Sequence, residues 1–167
     1  MEIQTERLLL KKYGVHDKTR FLALFTDEKV MKRVDEGVLS KIAAEKLFNR
    51  ILNDDFKRIR KIWAVATKAD ESFTGHVFIG QRPSSENDWE IGFILAENPW
   101  GNGFATEIAR ALIGFGLDSM NLKEIYATVD DDHVRSINVL KKAGMKFIRY
   151  EFDKQGKYSV YGLRKTG

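Results

Sequence analysis

Gly101 and Gly103 stand between a β-patterned run and a helix-patterned run, and residue types in that order can hold an anion. Upstream, Glu90-Ile91-Gly92-Phe93-Ile94-Leu95 alternates and is rich in β-formers, which reads as a strand ending near Ala96. Downstream, Ala105, Ile108, Ala109, Leu112 and Gly116 recur at helical spacing, so the glycines fall at the helix entry. A helix N-terminus presents unpaired backbone N–H groups and the positive end of its dipole, and missing side chains let an anionic group come close. The chemistry implied is phosphate binding, with backbone N–H groups from Gly101 to Thr106 on a pyrophosphate and the Thr106 hydroxyl added to them. A plain glycine turn, with Thr106 an ordinary first-turn residue, is the competing reading.

Two better-known phosphate loops do not fit. A triphosphatase loop needs Gly, four residues, then Gly-Lys-Ser/Thr, and no such run occurs. A dinucleotide fingerprint would want a third small residue where Thr106 stands, and would open a βαβ repeat rather than lie two-thirds of the way along the chain.

The elements that must position this loop follow from periodicity. Leu8 to Tyr13 reads as a strand, and one helical stretch from Asp17 places Phe21, Leu24, Phe25 and Met31 at helical spacing. Ser40 is the N-cap candidate of a second helix, with Ala44, Leu47, Phe48, Ile51 and Leu52 as its apolar stripe. Ile62 to Thr67 and Phe73 to Gln81 form a hairpin, Arg82 to Asp88 a polar break, and Trp89 to Leu95 the strand feeding the loop. Beyond the long helix, Ile125, Ala127 and Val129 alternate as a strand. A short helix from about Arg135 to Ala143 ends at Gly144, and Phe147 to Phe152 pairs with Tyr158 to Leu163 around Asp153-Lys154-Gln155-Gly156.

A length of 167 residues fits one α/β domain over 1–167, with 43% hydrophobic and 31% charged residues as in soluble proteins and no stretch apolar enough to span a bilayer. The amino terminus lacks the apolar core of a secretory signal, and zero cysteines exclude disulfides and thiolate chemistry, so a cytoplasmic protein is expected. The formal charge of +4 is modest, and Lys57-Arg58-Ile59-Arg60-Lys61 has no interleaved aromatics, so nucleic-acid binding is disfavoured. His16, His76 and His133 share no ligand spacing, so no metal is expected.

Asn98-Pro99-Trp100-Gly101-Asn102-Gly103-Phe104-Ala105-Thr106-Glu107 resembles the acyl-CoA pyrophosphate loop of the GNAT N-acetyltransferase superfamily, in the branch of ribosomal-protein N-terminal acetyltransferases. Three more segments resemble that branch in order: Thr5-Glu6-Arg7-Leu8-Leu9-Leu10, Glu90-Ile91-Gly92-Phe93, and Ser136-Ile137-Asn138-Val139-Leu140-Lys141-Lys142-Ala143-Gly144-Met145. Two positions depart from the pattern: Trp100 stands where Gln or Arg is usual, and His133 where an Asn contacts the cofactor.

The resemblance implies a mixed α/β (α+β) fold with a splayed, mostly antiparallel central sheet and helices on both faces. It implies acetyl-CoA as cosubstrate and direct acetyl transfer to a primary amine in a ternary complex, since no cysteine can carry the group. Cofactor contacts would come from Ile94, Leu95, Trp100, Gly101, Asn102, Gly103, Phe104, Ala105, Thr106, His133 and Asn138. An ammonium acceptor, with pKa near ~8 for an α-amine and ~10.4 for lysine, needs a base. Glu90 occupies the family's acidic position, with Asp88 behind it. Ser136 aligns with the serine credited with protonating the departing sulfur, while the tyrosine used by other branches would fall on Ala143 or nearby non-tyrosine residues. Each has a plainer reading: Glu90 as a surface or hydrogen-bonded strand carboxylate, Ser136 as a residue that caps or begins the helix, Asn138 as an exposed amide, His133 as a polar loop residue. The two early helices and the loop Val34 to Leu39 would line the acceptor pocket. The acceptor is expected to be a protein N-terminus, or else a polyamine, amino acid or antibiotic, with the protein a monomer or homodimer. A CoA-binding module without turnover and a basic ribosome-associated factor are the readings from other classes.

Overall fold

In the computed structural model, which describes residues 2–34, 37–97 and 101–166, the β-former runs build one eight-stranded sheet. The strands are β1 (Ile3–Gln4), β2 (Leu8–Lys11), β3 (Arg60–Thr67), β4 (Phe73–Arg82), β5 (Ser85–Leu95), β6 (Glu124–Asp130), β7 (Lys146–Asp153) and β8 (Gly156–Arg164). Their order is β1-β2-β3-β4-β5-β6-β8-β7. β2 and β3, β6 and β8, and β7 and β8 pair antiparallel, whereas β5 and β6 run parallel with Glu90 opposite Tyr126. This is the mixed, mostly antiparallel fold that the sequence leads one to expect. The helices are α1 (Lys18–Phe25), α2 (Glu28–Met31), α3 (Lys41–Leu52), α4 (Phe104–Gly114) and α5 (Val134–Lys142). No helix among the described residues is long and apolar enough to cross a membrane.

The chain divides into two compact units, Met1–Phe78 with Phe93–Phe104, and Ile79–Gly92 with Ala105–Gly167. In the first, Tyr13, Phe21, Phe25, Met31, Phe48 and Ile94 belong to one buried cluster. Phe21 stacks on Phe25 at 4.4 Å and meets Phe48 of α3 at 5.1 Å, geometry that adds to plain area burial. Ser40 caps α3 as expected, its side chain accepting from Ala43 N at 3.1 Å. In the second unit α4 buries Ile108, Ala109 and Leu112 of the stripe read from its spacing, together with Ile113, while Ala105 is half-buried.

Three boundaries differ from the sequence reading. The single helical stretch after Asp17 is two helices, because Asp27 accepts from Lys29 N and Val30 N and so restarts the chain at α2. The helix expected through Gly116 leaves α geometry at Phe115–Ser119, a π turn in which Gly116 is packed so closely that an added Cβ would stand 2.6 Å from Ile125 Cδ1. The polar break from Arg82 to Asp88 is only a two-residue turn, Pro83-Ser84. β4 runs through Arg82 and β5 begins at Ser85, so polar residues there continue the ladder.

Candidate active site

The loop before α4 takes its shape from its glycines. Gly101 and Gly103 have φ of +84° and +81°, in the left-handed region where an L side chain costs roughly 1–2 kcal/mol. A Cβ at Gly101 would meet nothing within 4 Å, and one at Gly103 would meet only Arg7 Nη2, at 3.3 Å. The backbone is therefore open on the side where those side chains would stand, and it leads directly into α4 at Phe104. Both features suit a bound diphosphate, whose charge the first N–H groups of α4 would receive.

Arg7 is the residue here that sequence reasoning did not single out. It follows a turn in which Thr5 Oγ1 accepts from Leu8 N at 3.0 Å. Its Nη1 donates to Asn102 O at 2.9 Å, and its guanidinium lies 4.5 Å from the centre of the Phe104 ring. A cation thus holds the loop from 95 residues away in sequence. Ile94 and Leu95 are buried, Ile94 within the apolar cluster of the first unit. Asn102 and Gly103 are exposed, while Phe104, Ala105 and Thr106 are half-buried. Trp100, with Asn98 and Pro99, lies outside the described residues.

Glu90 is not a lone strand carboxylate. Arg82, at the end of β4, has a side chain only 3% exposed, and its Nε stands 3.4 Å from Glu90 Oε2. Its Nη2 donates to Glu151 Oε1 at 2.8 Å, and Glu151 also accepts from Tyr158 Oη at 2.9 Å and from Arg149 Nε at 2.8 Å. Burial alone would raise the Glu151 carboxyl, but these hydrogen bonds bring it down to about 2. Burial likewise opposes the charge on Arg82, yet Glu151 and Glu90 raise its pKa. Arg82 Nε and Nη1 have no hydrogen-bond partner, so the Glu90 contact is an ion pair without hydrogen-bond alignment. Asp88 is half-buried two residues from Glu90 on the same strand, and its charge helps raise the Tyr126 phenol after burial and Glu124. Reading Arg82 as loop hid this cluster, because β4 and β5 continue there through polar residues that carry no alternating apolar pattern.

At the start of α5, Ser136 begins the helix rather than capping it. His133 takes the N-cap place without a side-chain cap bond, and Ser136 sits in the first turn. The Ser136 hydroxyl lies 3.3 Å from His133 Nε2, so the residue that departs from the family pattern and the candidate proton donor are hydrogen-bonded. Asn138 is exposed.

The most buried histidine is elsewhere. His76 on β4 is 5% exposed, with its Nδ1 2.9 Å from Tyr13 Oη. Burial, then the Arg60 charge, lowers its pKa to about 3, so it is a neutral core residue.

Known proteins are similar to this chain over most of its length. The model of the Acetyltransferase (GNAT) domain matches residues 7–146. The uncharacterized N-acetyltransferase YnaD of Bacillus subtilis is 30% identical over 146 residues, covering 87% of this chain and 83% of that protein. An acetyltransferase (GNAT family) from Bacillus anthracis superposes with a TM-score of 0.85 at 26% identity, covering 98% of each chain. Two more distant structures share the fold. RimL, a ribosomal L7/L12 alpha-N-protein acetyltransferase solved with coenzyme A, has a TM-score of 0.81 at 14% identity over 98% of each chain. Spermidine N-acetyltransferase from Vibrio cholerae, solved with CoA and spermine, has 0.80 at 16% over 94% of this chain and 95% of its own. With its glycine loop, its sheet and these matches in agreement, the chain belongs to the GNAT acetyltransferase family.

Proposed function

We propose that this GNAT acetyltransferase moves an acetyl group directly from acetyl-CoA to the α-amine of a protein N-terminus, with the whole chain acting as one catalytic domain. The family match runs through segments of both compact units, which supports that reading. The carrying observation is the pair of left-handed glycines opening α4, with Arg7 fastened to the loop they form.

Bound acetyl-CoA supplies the thioester carbonyl that the amine attacks. Backbone N–H groups from Gly101 to Thr106 bind the pyrophosphate, and the Thr106 hydroxyl adds a donor. Arg7 holds the loop and lends it positive charge. Ile94 and Leu95, whose side chains are buried, contribute backbone groups beside the acyl arm. Asn138 and His133 take the polar positions at the start of α5. Glu90 draws the ammonium in and takes its proton, directly or through water, with Asp88 next to it as reserve. Ser136 gives its hydroxyl proton to the departing sulfur, a thiolate whose conjugate acid has a pKa of about 8.5.

The Glu90–Arg82 pair is what favours an α-amine. A carboxylate facing a buried guanidinium is a weak base, suited to an amine already neutral in roughly one molecule in ten at pH 7 rather than one in a thousand or fewer. RimL, which acts on a protein α-amine, shares the fold, as does the spermidine enzyme, so fold alone does not choose between them. The test follows free thiol released from acetyl-CoA against N-terminal peptides, polyamines, amino acids and aminoglycosides, with CoA affinity measured in parallel. Fastest release with peptide α-amines is expected. Release with polyamines alone would replace the acceptor, tight CoA binding with no release would mark a silent CoA-binding module, and no CoA binding would overturn the site.

A further inference from the structure

The edge strand β7 carries four of the exposed large hydrophobic residues among those described. It ends the sheet order, pairs with β8 on one side, and has seven of eight residues exposed. Phe147, Ile148, Tyr150 and Phe152 are 45%, 38%, 48% and 75% exposed, although an edge strand with open apolar side chains invites pairing with another chain. Arg149 Nε donates to Glu151, which puts these two on one face, and alternation then puts Tyr150 and Phe152 on the other. The β-bulge between Phe147 and Arg149 returns Phe147 to the aromatic face, 4.8 Å from Tyr150 between ring centres.

We infer that β7 is the interface of a homodimer in which two copies pair antiparallel, extending one sheet into the next with Tyr150 at the two-fold axis. The occupant is read from self-complementarity. Edges guarded by charge carry one sign, but β7 has Lys146 and Arg149 against Glu151 and Asp153, so its charges cancel and do not repel a second β7. In an antiparallel pair, opposite residues share a face, so the two-fold axis must fall on a residue. On Tyr150 it sets Arg149 of each copy opposite Glu151 of the other and Phe152 opposite the Phe147–Ile148 bulge. On Glu151 it would set two carboxylates face to face. An isologous contact of this kind closes after two copies and leaves neither β7 edge open. Because Glu151 also accepts from Arg82, which faces Glu90, the interface shares a guanidinium with the proposed base.

Sedimentation velocity of the full chain over a range of concentrations tests this, together with register-specific cross-linking. The chain has no cysteine of its own, so Tyr150→Cys should form a disulfide-linked dimer under mild oxidation, while Val15→Cys, at a position 78% exposed on the other unit, should not. Tyr150→Lys should weaken the dimer at least ~tenfold, since it sets like charges directly opposite, with the circular dichroism spectrum unchanged. A monomer at every concentration overturns the inference, even if an added peptide pairs with the edge. So does a dimer that ignores Tyr150→Lys and fails to cross-link through Tyr150→Cys.

Discussion

The glycine loop and the Arg82 cluster are built in opposite ways. The loop is contiguous: Gly101, Asn102 and Gly103 adopt their backbone conformation next to the helix they open, and only Arg7 reaches in from afar. The cluster is assembled from β4, β5, β7 and β8, with Arg82 and Glu151 69 residues apart. Backbone conformation shapes the first region, and side-chain charges balance one another in the second. A contiguous site exposes its function to inspection of the sequence, whereas a site made of paired charges depends on which residues the fold buries together.

Breaking the cluster should have the largest effect. Arg82→Met leaves Glu90 and Glu151 without their shared cation, and loss of one member of a buried ion pair costs about 3–5 kcal/mol. Urea unfolding should show that loss; a change below about 1 kcal/mol would mean the cluster is not the structural centre described. Breaking the loop should cost only the ~1–2 kcal/mol of a side chain at positive φ and remove cofactor binding. Gly103→Glu adds a side chain at positive φ and a negative charge where phosphate would sit, so calorimetry should show CoA affinity reduced by ~100-fold or more. Unchanged affinity would sink the loop assignment.

A third buried polar site sharpens the contrast, since His76 avoids charge where Arg82 keeps it. An unfolded histidine titrates near 6.5 and native His76 near about 3, so below ~6.5 the unfolded chain binds a proton that the native chain refuses. Stability should therefore fall by about 1.4 kcal/mol per pH unit from pH 6.5 downward, or roughly 2 kcal/mol by pH 5. Glu151 has the opposite displacement, and its contribution is lost only as pH falls from about 4.5 towards about 2. The interval from pH 6.5 to 5 thus isolates the histidine. Unfolding curves of His76→Gln, which keeps an acceptor for Tyr13, should lose that slope. The smallest effect is expected at Arg7. Arg7→Met keeps the glycines but removes the hydrogen bond to Asn102 O, so the KM for acetyl-CoA should rise about tenfold with little change in kcat. An equal fall in kcat would place Arg7 in the chemical step instead.

The α3 cap at Ser40, the buried face of α4 and the tight turn at Lys154-Gln155 all stand where the spacing put them, because each depends on residues within a few positions. Helix breaks were harder: Asp27 restarts the chain through two hydrogen bonds that apolar periodicity ignores. The residues proposed for the site divide along the same line. The glycines were legible because positive φ excludes most other residues, and Ser136 was picked out by the resemblance of its segment to the family's last helix. Its hydrogen bond to His133 required the rotamers that the folded helix imposes.

By itself, then, the sequence determined the glycine loop, the strand that precedes it and the helix that follows, since backbone conformation and hydrophobic period are local properties of a chain. Only the tertiary structure decided that Arg82 is buried between Glu90 and Glu151, that Arg7 grips the loop, and that His76 is neutral. Those outcomes are set by which distant groups share a desolvated space, where charge interactions are strongest, and no local pattern encodes that.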